Sequence, residues 1–127
     1  MGDIDRHLRI AQEKLAATEE AYRNQQHTVV GDLAIKVVEQ LIEADAASHN
    51  MHFGAHQERQ AYTNREYPHQ ITVAMRKIWF AYGDLGYDGT NGHRARLVMR
   101  HLKTVAQFLE KRLGKQIWNS ADSRAGS

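Results

Sequence analysis

The sequence predicts an all-α protein, a single domain built as a four-helix, up-and-down-like bundle. Two observations lead there. Apolar residues recur at spacings of three and four along four long segments, which is the helical period. The punctuation is also helical: one Pro in 127 residues, and nine Gly that fall between the periodic segments or near the ends. Residues 1–118 are read as the helical domain and 119–127, small and polar, as a disordered tail.

The first helix is expected from about Asp3 to Asn24. Ile4, Leu8, Ala11, Leu15, Thr18 and Tyr22 draw one stripe along it, and Asp3 and Asp5 lie where the helix dipole favours acid. The second helix is expected from Thr28, as N-cap, to Asn50. Val30, Leu33, Ala34, Val37, Val38, Leu41, Ile42 and Ala46 give it an apolar face wide enough for several neighbours, so it should be central. Residues 50–67 break the period with Asn50, Gly54 and several His and Gln, which predicts an irregular connection with a short helical turn near Gln57–Thr63.

Pro68 suits the first position of a third helix, carrying the stripe Ile71, Ala74, Met75, Ile78, Tyr82 and Leu85. A turn follows over Tyr87–Gly92. The fourth helix is expected from about Asn91 to Leu113, with Ala95, Val98, Leu102, Val105, Ala106, Leu109 and Leu113 inward and Gly114 as its stop. Ile117 and Trp118 are expected to dock back onto the bundle.

Composition narrows the functional classes. There is no Cys, which excludes disulfides, thiolate metal sites and a cysteine nucleophile. The polar start Met1-Gly2-Asp3 lacks an apolar leader core, and no run approaches the ~20 apolar residues of a membrane span. A cytoplasmic protein without membrane contact is the expectation. No Gly-rich phosphate loop, nucleophile elbow or zinc-protease helix occurs, and no cofactor is implied.

The net charge of +2 is unevenly spread. Residues 1–75 carry 7 Lys/Arg against 11 Asp/Glu, and residues 76–127 carry 10 against 4. Such asymmetry marks either a polyanion-binding face or acidic and basic helices that attract each other within one bundle.

On the last helix, Arg94 and His101 are seven apart, so at 100° per residue they fall within about 20° of each other, beside the core stripe. Arg96 falls nearly opposite His101. An Arg holding phosphate beside a His moving a proton is a sufficient minimum for cutting RNA, whose own 2′-hydroxyl is the nucleophile. The alternative is an Arg and a His on the solvated shoulder of an amphipathic helix. Arg96, Arg100 and Lys103 are the candidate RNA-phosphate contacts.

Other constellations are open to two readings. His52 and His56, with His49 and with Glu43 or Asp45, have spacings suited to zinc or nickel on a helix. Gly54 interrupts that helix, so solvated or capping histidines are the alternative and no metal ligand is assigned. Trp79, beside Phe80, Tyr82, Arg76 and Lys77, is expected to be the most exposed aromatic, either a base-stacking platform or an interface residue. Glu39 and Glu43 share a helical face, where they can hold a metal, orient His101 or pair with the basic last helix.

The chain resembles the HEPN superfamily of small helical domains. The likeness lies in Ala11-Gln12-Glu13-Lys14-Leu15-Ala16 onward to Tyr22-Arg23-Asn24, and in the second-helix run Ala34-Ile35-Lys36-Val37-Val38-Glu39-Gln40-Leu41-Ile42-Glu43-Ala44. It continues through a loop with His52 and His56 to Arg94-Ala95-Arg96-Leu97-Val98-Met99-Arg100-His101. The resemblance implies a HEPN-like four-helix bundle that forms a homodimer. In active members an Arg and a His with four to six residues between them line a cleft between protomers and cut RNA without metal. Arg94 and Arg96 both meet that spacing to His101, and the helical wheel selects Arg94. Active members usually carry a polar residue after the Arg, whereas Ala95 and Leu97 follow here. Inactive members are binding partners, often of a nucleotidyltransferase-like protein. The expectation is therefore a non-catalytic dimeric module for a partner protein, a nucleotide or RNA, with a toxin-type, metal-independent endoribonuclease using Arg94 and His101 as the alternative.

Overall fold

A computed structural model describes residues 2–84 and 92–118. They form five helices, α1 (Gly2–Arg23), α2 (His27–Ala47), α3 (His56–Glu66), α4 (His69–Asp84) and α5 (His93–Leu113), with no strand among the described residues. The all-α expectation holds. The count of four does not, because the connection after α2 contains an 11-residue helix rather than one turn. The turn expected at residues 87–91 and the tail at 119–127 lie outside the described residues.

The stripe of α1 does what its spacing requires. Leu8, Ala11, Leu15 and Thr18 are buried, and the Thr18 hydroxyl is satisfied by donating to the Lys14 carbonyl at 2.6 Å. Asp3 and Asp5 occupy the first turn and Arg23 the last, each at the helix end whose dipole suits its charge. Gln25, with φ +59°, reverses the chain, and α2 begins one residue before the expected Thr28 with no side-chain cap.

α2 is the centre of the molecule. It packs against every other helix: α1 covers one side, while α4 and α5, packed on each other, cover another. Val30, Ala34, Val37 and Leu41 are fully excluded from solvent. Its width of apolar face is thus explained by its neighbours.

α3 buries little, only Tyr62 and Thr63. Glu58, in its first turn, reaches back past the N-cap Ala55 to accept the Gly54 N–H at 3.2 Å. The Pro68 carbonyl accepts from Ile71 and Thr72, so the proline opens α4 where its missing N–H costs nothing. Two glycines delimit α5. Gly92 has φ +66°, which strains any other residue, and a Cβ there would stand 2.9 Å from His27 Nε2, so that ring would have to move. Gly114, also left-handed at φ +66°, ends the helix at the expected position. Beyond it, Glu110 Oε2 accepts the Ile117 and Trp118 N–H groups at 2.8 and 2.6 Å, and Ile117 is buried.

Candidate functional site

α4 and α5 lie side by side, and an open groove of about 510 Å³ runs between them. Arg94, Arg100 and His101 line it from α5, and Lys77, Phe80 and Asp84 from α4, over a floor that includes Val98. The helical wheel therefore brought Arg94 and His101 to one place. Arg96 and Lys103 are exposed and do not line the groove. They are themselves seven apart and share a different face of α5.

The groove carries Lys77, Arg94 and Arg100 against one acid, Asp84. Arg94 is held by that acid: its Nη1 stands 3.3 Å from Asp84 Oδ2 and donates to the Asp84 carbonyl at 3.3 Å. Both side chains are more than half exposed, so the pair is weak in stability terms and serves to aim the guanidinium. His101 is half-buried. Its pKa lies below the ordinary imidazole value of 6.5, first because burial disfavours the charged ring, then because Lys77 and Arg100 repel a proton. The ring is thus neutral at neutral pH, a hydrogen-bond partner or a base rather than a cation.

This gives a directly measurable expectation. The His101 ring protons, followed by NMR against pH, should titrate with a midpoint below 6.5, and Lys77→Ala should move it upward. The linked stability has a definite sign. Because the unfolded chain binds this proton more readily, stability falls as pH drops from 6.5 through the lowered folded value, and is insensitive to this group above 6.5. A midpoint at or above 6.5 would contradict the placement of His101 beside the two cations.

The aromatic cluster differs from expectation. Phe80 is the exposed ring, with 68% of its surface accessible, and Tyr82 is also exposed rather than inward. Trp79 is half-buried because His56 of α3 stacks on it at 3.8 Å and Tyr82 stacks at 6.1 Å. The extent of α3 is the reason: the pattern predicts only a helical turn near Gln57–Thr63, whereas α3 begins at His56 and lays that ring on Trp79.

The histidine trio is separated. His49 Nε2 stands 4.0 Å from Asp45, His52 turns toward Glu43, and His56 is the ring on Trp79. Two acids of α2 are buried, Glu43 at 4% and Asp45 at 0% exposure. Glu39 and Glu43 both pair with Arg59 of α3, at 3.2 and 2.9 Å, and not with the basic last helix. Asp45 accepts from the Tyr62 and Tyr67 hydroxyls at 3.0 and 2.6 Å and from Arg112 Nε at 2.9 Å. Burial, reinforced by that bond to Asp45, pushes the Tyr67 phenol far above its ordinary range. A second cavity, between α2, α3 and α4 and lined by Arg59, His56 and Trp79, holds about 40 Å³. That is far below the ~300 Å³ from which small-molecule pockets begin.

Comparison with known protein families, curated proteins and solved structures finds no match. Among the described residues, no helix is long and apolar enough to cross a membrane.

Proposed function

We propose that this protein is a binding module for single-stranded RNA, with the α4–α5 groove as its contact surface. The observation that carries the proposal is the convergence of Lys77, Arg94 and Arg100 around a neutral His101, with the exposed Phe80 ring on the same groove. Cations along a groove track a phosphate backbone, and an accessible aromatic face stacks bases without regard to sequence. The resemblance to the HEPN superfamily supports the same reading. It adds a HEPN-like bundle and a homodimer in which two grooves form one cleft, with a nucleotidyltransferase-like protein as its partner. Ala95 and Leu97, following the two candidate arginines, favour binding without cleavage.

One observation favours a second reading, a metal-independent endoribonuclease. A general base must be unprotonated at working pH, and the lowered pKa of His101 supplies that beside Arg94 in the same groove.

One experiment separates the two. Fluorescently labelled single-stranded RNA is titrated with the protein in EDTA at several salt concentrations, and the RNA is then run on a denaturing gel. Binding that weakens with salt, and whose log–log slope shrinks by about 0.7 for each of Lys77→Ala and Arg100→Ala, supports the groove. Intact RNA after incubation supports the module. Cleavage by the wild type that disappears in His101→Ala supports the enzyme. Absence of RNA binding at low salt defeats both.

A further inference from the structure

The packing of α1 on α2 places His7, 9% exposed, beside Gln40 and Glu43, which are three apart and therefore on one face of α2. The chain after α2 bends back toward the same spot. Asn50 takes a left-handed φ of +59°, and the Phe53 N–H donates to Glu43 Oε1 at 3.1 Å. His52 Nδ1 is thereby brought within 3.6 Å of that oxygen. One donor atom from each of His7, Glu43 and His52 lies within 4.8 Å of the other two.

The surroundings of these donors are those a metal site needs. Gln40 Oε1 stands 2.8 Å from His7 Nδ1. An amide oxygen only accepts, so Nδ1 carries the proton and Nε2 keeps its lone pair, the tautomer and the outer hydrogen bond typical of a ligating imidazole. Glu43 is oriented by Arg59 Nη1, which donates to Oε2 at 2.9 Å. Its Oε1 takes one bond from Phe53 and retains a second lone pair.

We infer that His7, Glu43 and His52 bind a divalent transition-metal ion of the zinc class. Two imidazoles and one carboxylate select such an ion over the hard, all-oxygen cations Mg²⁺ and Ca²⁺. Donors around a tetrahedral zinc lie about 3.3 Å apart, so the set must tighten on binding. His52 makes that adjustment: its side chain is 77% exposed and is carried by the connection between α2 and α3. The same exposure leaves the fourth position open to water. The ion joins α1 to the end of α2 and to the connection that follows it. The site is separate from the α4–α5 groove and independent of the RNA proposal.

The test uses the untagged full chain, stripped with chelator and titrated with ZnCl₂ by calorimetry, with CoCl₂ absorbance as a second readout. The expected result is one ion per chain, with the intense visible bands of four-coordinate Co²⁺. His52→Ala should weaken binding at least tenfold, and Gln40→Ala should weaken it about tenfold through the orientation of His7. His49→Ala and His56→Ala should leave it unchanged. Because His52 is exposed, its replacement spares the core. Absence of saturable one-to-one binding and of four-coordinate Co²⁺ bands in the wild type overturns the assignment. So does affinity unaffected by His52→Ala, or an equal loss in His49→Ala or His56→Ala.

Discussion

Asp45→Ala is expected to cost about 3–5 kcal/mol of folding stability, measured as a fall in the urea midpoint at constant m-value. The carboxylate is fully buried and accepts from three donors, the Tyr62 and Tyr67 hydroxyls and Arg112 Nε. Removing it leaves two buried phenols and a guanidinium without their acceptor. The guanidinium also lies over the Tyr67 ring at 5.1 Å, with its side chain only 25% exposed, so water restores part of what it loses. The size of the penalty comes from stranded partners rather than from the strength of the pair. A combined replacement, Asp45→Leu with Tyr62→Phe, Tyr67→Phe and Arg112→Met, should therefore recover most of the loss. Similar deficits in the single and the combined variants would show that the network contributes net stability beyond satisfying its own members.

Leu41→Ala is the second large effect, about 2–5 kcal/mol by the same measurement. Leu41 is completely excluded from solvent in the helix that packs against all the others. The loss combines the transfer free energy of the removed carbons with a cavity that surrounding helices cannot close without giving up contacts elsewhere. A conservative Leu41→Met keeps the volume and should cost less than ~1.5 kcal/mol. If Leu41→Ala costs under 1 kcal/mol, α2 is not the packing centre described above.

These effects also show which parts of the fold were legible beforehand. The four long helices could be read because each buries a stripe, and burial of a stripe imposes its period on the sequence. α3 could not. Of its 11 residues only Tyr62 and Thr63 are buried, so its helical state is set by Glu58 at its start and by polar contacts to α2 rather than by an apolar pattern. Everything anchored on α3 was lost with it. The burial of Glu43 and Asp45 could not be read because Arg59, Tyr62 and Tyr67, which neutralise or satisfy them, come from that segment and the residue after it.

The shared face of Arg94 and His101 was legible because its geometry is internal to one regular helix, for which a 100° wheel suffices. That Lys77 and Asp84 face them required knowing that α4 lies alongside, which no single-helix pattern contains. His7 also carries a sign readable in the sequence. It stands three after Ile4 and four before Ala11, on the buried side of α1, where a histidine needs a partner.

The bond between Asp45 and Arg112 has a mechanical meaning as well as an energetic one. It clamps the last turn of α5 to the last turns of α2, and the left-handed stop at Gly114 follows two residues later. Arg94 lies 18 residues up the same helix, about 27 Å along its axis. At the far end Arg94 is tied to Asp84 of α4 and Gly92 lies against His27 of α2, while Ala95 and Val98 are buried between, so α5 is fastened at both ends and the two walls of the groove are held at a set separation.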